Sequence, residues 1–357
     1  MNYQVLIILF LLFVLILIKQ SAKPGILKNI RRKINTAINV KRGYINSSHI
    51  KWCDLDYHTE SGIKDITHPS VLLYNNHLLM AATPYPQTLE GGGVKYENPY
   101  LFISHSTEPL ITFERLSKQK IIEPLEAHYN SDPKIFMNDN SVYLLNRKCE
   151  GPDYFSKITL QKMINYNEWT KPIDIIKTDR VGVSPLYINH FGHEYIILIN
   201  IRWNELLGVK TIGYKTEDIE IWINTGTIEN PNYSLHDKVS WSINQQIYHA
   251  DSFIYNDDIY VIFNGSNRNF KTFYGIPDHF KYLWIARTKD FHNFEVCNKP
   301  LLKRSGIYKP TAYLDNGILK IYFASDNSYF GNERKSYISG NRIGYFEMPF
   351  DTIVFDN

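Results

Sequence analysis

The sequence predicts an all-β protein, a five-bladed β-propeller preceded by an N-terminal membrane helix. The propeller is predicted by a sequence repeat that occurs five times in the 357 residues. Each copy of the repeat consists of an apolar strand, a polar turn and a second apolar strand. We take these residues as equivalent in the five copies: Pro69, Pro133, Pro185, Ser252 and Pro310. A repeat with a period of roughly 50 to 70 residues, each unit a hairpin, is typical of propeller blades.

The sequence around each repeat supports four-stranded blades. Asn and Asp, which tolerate left-handed backbone, dominate the turns Asn75-Asn76, Asp139-Asn140, Asn256-Asp257-Asp258 and Asp315-Asn316-Gly317. Further strand-like segments follow, for example at 100–104, 219–223 and 282–286. The last strand, 342–347, needs a partner. We expect residues 48–55, at the other end of the chain, to pair with it and close the ring.

The first 45 residues differ from the rest. Val5 to Ile18 is an unbroken apolar run, and it lacks the basic start and small-residue cleavage site of a secretory signal. We therefore expect residues 1–20 to be a single-pass membrane segment or signal-anchor, in preference to a cleaved signal peptide. Residues 21–45 are a basic linker, either an amphipathic helix on anionic lipid or a solvated helix. Lys and Arg directly after the apolar run predict a propeller, 46–357, on the cytoplasmic side.

Charge and cysteine usage restrict the class further. Residues 19–42 hold eight Lys and Arg and no acid, so the remaining chain is mildly acidic within a net charge of +3. A nucleic-acid partner would require a basic stripe on the folded domain, so we expect none. Three cysteines, Cys53, Cys149 and Cys297, are too few and too scattered for a disulfide framework or a cysteine metal site.

Two motifs connect the chain to a known group. The first motif is Asp132-Pro133 at the start of one blade, and the second is Thr288 to Phe294 at the end of another. A weaker match to the second motif occurs at Tyr166 to Trp169. This pattern resembles the five-bladed propeller glycosidases of glycoside hydrolase families 43 and 32. The resemblance implies three axial acids in the first three blades, which act as base or nucleophile, as a stabilising aspartate and as a glutamic general acid. Such cleavage needs one carboxyl to protonate the leaving oxygen and one carboxylate to attack or activate water.

The chain meets that pattern in part. Blade one offers His68 in place of the base, blade two keeps Asp132, and blade three offers Ser184 in place of the glutamate. We therefore expect Asp132 to work with Glu97, which follows a glycine-rich loop, or with Asp251 of blade four. His249 is a further partner for Glu97 in acid–base work.

Other residues at the axis are predicted to hold the sugar. Lys309 and Tyr308 would bind a carboxylate, sulfate or phosphate, and Trp203 would stack on a sugar ring. The remaining predicted contacts are His68, His128 and His249. For His68, His249 and Asp251 the alternative is a buried hydrogen bond between blades. A metal held by His68, His249 and Asp132 is conceivable, but no ligand spacing indicates it, so no metal or cofactor is expected.

These features predict a carbohydrate-active propeller that acts on a cell-surface or phage-related polysaccharide, by cleavage of glycosidic bonds at the axis. The alternative is a non-catalytic, membrane-tethered glycan-binding or scaffold propeller in polysaccharide biosynthesis. A third possibility is a transferase that acts on a lipid-linked sugar. The expected partners are a glycan and, through residues 1–20, a membrane.

Overall fold

The structure, a computed structural model, is an all-β five-bladed propeller, as the sequence predicts. It describes residues 43–56, 66–85, 97–104, 110–116, 121–122, 129–149, 156–178, 181–206, 209–241, 243, 245–267, 281–304, 306–325 and 342–356, with the backbone alone at 181–183, 202–206, 209–215 and 266–267. The predicted membrane segment, 1–20, and the basic linker up to residue 42 lie outside these ranges. Within them no helix is long and apolar enough to cross a membrane.

The strands, in chain order, form five sheets. Blade one contains β2 (Asp54–Leu55), β3 (Ile66–Tyr74), β4 (His77–Pro84), β5 (Tyr100–Ser104) and β6 (Thr112–Arg115). Blade two contains β7 (Tyr129–Asn138), β8 (Ser141–Cys149), β9 (Ser156–Asn165), β10 (Glu168–Trp169) and β11 (Ile173–Lys177). Blade three contains β12 (Val181–His190), β13 (His193–Leu206), β14 (Val209–Asn224) and β15 (Tyr233–Ser240). Blade four contains β16 (Gln245–Tyr255), β17 (Asp258–Asn267), β18 (Tyr282–Thr288), β19 (Glu295–Val296) and β20 (Leu302–Lys303). Blade five contains β21 (Ile307–Asp315), β22 (Ile318–Ser325) and β23 (Arg342–Pro349), with β1 (Lys51–Trp52) as its outer strand.

The innermost strands β3, β7, β12, β16 and β21 surround the axis, each packed against the next and the last against the first. Side chains fasten neighbouring inner strands. The Ile135 amide donates to Ser70 Oγ at 3.0 Å, and the Val71 amide donates to Thr311 Oγ1 at 3.1 Å. These bonds satisfy backbone donors that the blades' own ladders leave unpaired, so they fix the register between blades.

The ring is closed by the two ends of the described chain. Strand β1 pairs antiparallel with β23, with Lys51 opposite Tyr345 and Trp52 opposite Gly344. The Cys53 amide extends the ladder with a 2.9 Å bond to the Ile343 carbonyl. The predicted closure by residues 48–55 is confirmed for residues 51–53, which cover the outer edge of β23. Ser48 and His49 belong to a short 3-10 helix, and Asp54 and Leu55 pair with β6 of blade one.

The hairpin turns set the phase of the five copies. Both turn residues have positive φ in, for example, Asn75-Asn76 and Asn256-Asp257, as the two-residue turns of twisted hairpins require. Counted back from the hairpins, the residue equivalent to Pro69 is Ala250 in blade four. The assignment of Ser252 is thus wrong by two positions. A shift of two keeps every side chain on the same face of a strand, so the apolar pattern could not reveal it.

The same count identifies one axial position per blade, six residues before the end of each innermost strand: His68, Asp132, Ser184, His249 and Lys309. In the first three blades this residue has φ of 50°, 53° and 50°. It lies at a bulge, where the ladder between the first two strands loses its register. A bulge bends the strand and turns a side chain out of the regular alternation.

The closing motif of blade four is a turn. The Asp290 carboxylate accepts bonds from the backbone amides of His292 and Asn293 at 2.9 and 2.8 Å, and the Thr288 hydroxyl accepts one from Phe291 at 3.0 Å. These bonds, the Asn293 amide first, hold the pKa of Asp290 at about 2. The motif therefore serves the fold and lies apart from the axis.

Gly344 in β23 faces the buried ring of Phe323, and a Cβ at this position would lie 2.5 Å from Phe323 Cζ. We expect Gly344→Ala to destabilise the protein by about 1–3 kcal/mol, because the ring has no free space to move into. The free energy of unfolding in urea measures this. Lys51→Ala, on an exposed side chain of the closing strand, is the control and should change stability by less than about 0.5 kcal/mol. Equal stability of Gly344→Ala and wild type would contradict the packing argument.

Candidate functional site

Asp132 is the centre of the axial site and is fully buried. Arg147 on β8 donates its Nε–H to Asp132 Oδ2 at 2.7 Å. His249 Nδ1 lies 3.0 Å and Lys309 Nζ 3.7 Å from Asp132 Oδ1. Burial alone would raise the pKa of Asp132, but His249, Arg147 and Lys309 together hold it well below its usual value. Asp132 is therefore a carboxylate at neutral pH.

Two histidines flank this carboxylate. His68 Nδ1 lies 2.9 Å from Thr83 Oγ1 and 3.2 Å from Ser131 Oγ, and its Nε2 is 4.0 Å from Asp132 Oδ1. His249 Nδ1 lies 2.9 Å from Ser184 Oγ. Burial lowers the pKa of both imidazoles, against the attraction of Asp132, so both are neutral at pH 7. Neither Nε2 atom has a hydrogen-bond partner among the described residues.

Glu97 is the second carboxyl group of the site. It precedes β5, is buried, and is held against β7 by the Asn130 amide, which donates to its carbonyl at 2.8 Å. Burial raises the pKa of Glu97 to about 8, with a hydrogen bond to Ser131 and the charge of Arg147 opposing the rise. Glu97 Oε2 has no hydrogen-bond partner within the described residues. At neutral pH this side chain is largely a protonated acid.

Aromatic side chains complete the site. The Tyr308 ring centroid lies 4.4 Å from that of His249 and 5.2 Å from that of His68, and Tyr248 packs 4.3 Å from His249. Both tyrosines are half-buried, whereas the histidines are almost fully buried. Tyrosines with one exposed part and one packed part are suited to contact a sugar ring at the entrance of a polar site.

Asp251 occupies a different environment. Its described contacts are an ion pair with Lys134, a hydrogen bond from the Thr311 hydroxyl, and bonds from the Ser252 and Ala312 amides at 2.8 and 3.4 Å. These partners connect blades two, four and five, as the alternative of a buried hydrogen bond between blades anticipates. Asp251 is thus engaged in holding inner strands together, and we do not include it in the acid–base pair proposed below.

Two predicted sugar contacts cannot be placed by their side chains. His128 lies outside the described residues. Trp203 is described by its backbone alone, on β13 opposite Tyr214. Both stay predictions. The remaining predicted residues, His68, His249, Tyr308 and Lys309, are brought together around Asp132.

The sequence did not single out Arg147, Lys134, Ser131 or Tyr248 as members of the site. The available signal for Arg147 was a charged residue soon after the apolar strand Tyr143 to Leu145, in the second strand of a blade. Lys134 directly follows Pro133 at the axis. A buried position for either residue implies an acidic partner.

The ligand atoms of His68, Asp132 and His249 lie within 4.8 Å of one another, the grouping that the metal alternative requires. Two cations already lie against the same carboxylate, since Arg147 bonds one oxygen and Lys309 is close to the other. A metal ion bound there would be repelled by both at short range. The charge of the site therefore favours a role for these residues without a metal.

The raised pKa of Glu97 has a measurable effect on stability. A carboxyl whose pKa rises from 4.5 to about 8 on folding stabilises the fold fully below the unfolded value, and this contribution is lost as pH rises toward 8. Glu97→Gln keeps the neutral shape and does not titrate. We expect its free energy of unfolding to increase relative to wild type between pH 5 and 8, by up to about 1.4 kcal/mol per pH unit. A constant difference across that range, measured by urea unfolding, would contradict the assignment.

The comparisons with known proteins identify the fold as that of the five-bladed propeller glycoside hydrolases. A β-xylosidase/α-arabinofuranosidase of family 43 from a compost metagenome, solved with xylotriose in a calcium-free form, matches with a TM-score of 0.56 and 11% identity over 85% of this chain and 94% of that chain. A family 43 enzyme from Xanthomonas citri matches with a TM-score of 0.55 and 9% identity, over 81% of this chain and 90% of that chain. The α-L-arabinofuranosidase PaAbf62A from Podospora anserina, solved with cellotriose, matches with a TM-score of 0.55 and 13% identity, over 87% of this chain and 98% of that chain.

The predicted likeness to these propellers is confirmed at the level of fold. No family model matches the sequence, and no curated protein does. The structural matches show a shared architecture. Because the sequence identities are only 9 to 13%, the chemistry has to be argued from the residues of this chain.

Proposed function

We propose that this protein is a carbohydrate-active propeller that cleaves a glycosidic bond with Glu97 as general acid and Asp132 as the carboxylate. The observation that carries the proposal is a pair of buried carboxyl groups at one axial site with pKa values moved in opposite directions. Environments that separate two carboxyl pKa values in this way assign one acid and one base. Glycoside cleavage requires that division of roles.

In the proposed reaction the Glu97 proton passes to the glycosidic oxygen as the bond between that oxygen and the anomeric carbon breaks. Asp132 either attacks the anomeric carbon or takes a proton from the water that does so. Arg147 holds Oδ2, and Oδ1 faces His249 Nδ1 at 3.0 Å and Lys309 Nζ at 3.7 Å, so the orientation of the carboxylate is fixed. Glu97 thus takes the part that the resemblance gives to a blade-three residue, where this chain has Ser184.

A glycan is the proposed substrate because tyrosines border the acid pair and because propellers of the same fold have been solved with xylotriose and cellotriose. We propose a cell-surface or phage-related polysaccharide. We further propose that residues 1–20 tether the propeller to a membrane, with the body on the cytoplasmic side. The support is the apolar run from Val5 to Ile18 and the basic residues that follow it.

The test uses the full chain, purified in detergent because of its apolar run, and a panel of bacterial polysaccharides. Products are followed by reducing-end labelling and mass spectrometry for wild type and Glu97→Gln. The proposal requires new reducing ends with wild type and a large loss with the variant. Release of product at equal rates by both proteins would remove Glu97 from the mechanism.

One observation favours the second candidate, a non-catalytic glycan-binding propeller. The axial position of blade three is Ser184, whose hydroxyl lies 2.9 Å from His249 Nδ1, so it holds a neighbour and offers no carboxylate. In the same experiment this candidate predicts that wild type and Glu97→Gln bind one polysaccharide equally and that neither releases product.

A further inference from the structure

The described axial site holds an excess of buried positive charge. Its cations are Lys134, Arg147 and Lys309, and its ionised acids are Asp132 and Asp251, all at most 8% exposed. Lys134 pairs with Asp251, and Arg147 with Asp132. Lys309 is therefore left to share a carboxylate that already has a closer cation.

The Lys309 ammonium is poorly compensated. Within the described residues its Nζ donates one hydrogen bond, at 3.3 Å, to the Pro133 carbonyl, and Asp132 Oδ1 is 3.7 Å away. Glu97 does not balance it at neutral pH, because that carboxyl is largely protonated. A buried charge without a full partner is costly, so a site that keeps one is suited to receive an opposite charge.

Two imidazoles share the Asp132 Oδ1 neighbourhood with this ammonium, and each has an unbonded nitrogen. Thr83 and Ser131 place two hydroxyls at His68 Nδ1, and an imidazole whose Nδ1 accepts a hydroxyl proton carries its own proton on Nε2. His68 Nε2 and His249 Nε2 both lack partners in the described part of the chain. Charge and hydrogen-bonding capacity therefore coincide at one place.

We propose that the axial site binds an anionic group carried by a sugar, a carboxylate or phosphate, with Lys309 as its counter-charge and His68 Nε2 as a donor. The proposal rests on the proposed function and names the substrate class of that site. It selects acidic or phosphorylated polysaccharides over neutral ones.

The test is the thermal unfolding midpoint of the full chain with D-glucuronate, D-glucose 6-phosphate, inorganic phosphate or D-glucose, at equal concentration and ionic strength. A ligand that binds the folded state alone raises the midpoint. We expect the two anionic sugars to raise it, D-glucose to leave it unchanged, and inorganic phosphate to act more weakly than glucose 6-phosphate. Equal effects of glucose and glucuronate, or of phosphate and glucose 6-phosphate, overturn the proposal.

Variants locate the effect. Lys309→Met should weaken binding of the anionic sugars at least tenfold, and Lys309→Arg should retain it. Lys289→Met, at a side chain 82% exposed on blade four, makes the same charge change away from the axis and should bind as wild type does. Loss of binding in the Lys289 variant, or full binding in the Lys309→Met variant, overturns the assignment.

The experiments distinguish a failure of the anionic-sugar proposal from a failure of the proposed cleavage activity. Cleavage of a neutral polysaccharide without preference for anionic sugars overturns the substrate class alone. Binding of anionic sugars through Lys309, without product from any polysaccharide, leaves the site in place and overturns catalysis.

Discussion

Asp132→Asn is expected to lower the free energy of unfolding by about 3–5 kcal/mol, the usual cost of removing one partner of a buried ion pair. The fully buried carboxylate is the hydrogen-bond partner of Arg147 and the nearest described anion to Lys309. An amide of the same shape leaves both cations without compensation. Urea unfolding at pH 7 measures the change.

Two further variants interpret that result. Asp132→Asn/Arg147→Met removes the unpaired guanidinium together with the carboxylate and should recover part of the loss, as apolar replacements of buried pairs do. Asp174→Asn breaks an exposed ion pair with Lys157 and should cost less than about 1 kcal/mol. If Asp132→Asn costs no more than Asp174→Asn, then Asp132 is not the electrostatic centre of the axis.

Glu97→Gln is expected to reduce turnover of a cleavable polysaccharide by about 10²–10⁴-fold, the usual contribution of a general acid. Glutamine preserves the volume and the neutral charge of the protonated acid but has no proton to give. Binding should therefore be retained while product formation falls. Initial rates of reducing-end release, with binding measured separately, make the distinction.

Glu168→Gln is the matched control, because Glu168 is an exposed glutamate on the outer strand β10. Its turnover should equal that of wild type. A loss of turnover in Glu97→Gln that is explained entirely by weaker binding would give Glu97 a role in holding the substrate and not in proton transfer.

The fold could be predicted from the sequence because each blade repeats the same local chemistry. In four of the five blades Asn or Asp supplies the two-residue turn between apolar strands, and this pattern defines a hairpin without knowledge of its neighbours. Closure within residues 48–55, which the structure places at 51–53, followed from the unpaired edge of the last strand. The phase of blade four could not be obtained in the same way, because Ala250 and Ser252 lie on the same face of β16.

The site could be predicted only in part, because a ring of blades brings together residues that the sequence separates. Four axial residues could be found because each stands at the start of a recognisable repeat: His68, Asp132, His249 and Lys309. Arg147 stands in a second strand, where its one signal, a charge soon after an apolar run, does not show that it reaches the axis. The role of Asp251 depended on Lys134 and Thr311, which lie 117 and 60 residues away in the chain.

The pairing of β1 with β23 determines when this ring can be completed. Lys51 and Tyr345, opposite each other in the closing ladder, are 294 residues apart in sequence (345 − 51). Relative to a hairpin turn, a loop of that length adds about 4 kcal/mol of closure entropy, at roughly 0.6 kcal/mol per doubling. Strand β1 therefore has no partner in its own sheet until β23 has been synthesised. A chain that stops before residue 342 therefore lacks β23 and leaves an open arc, with unpaired edges at β1 and β22.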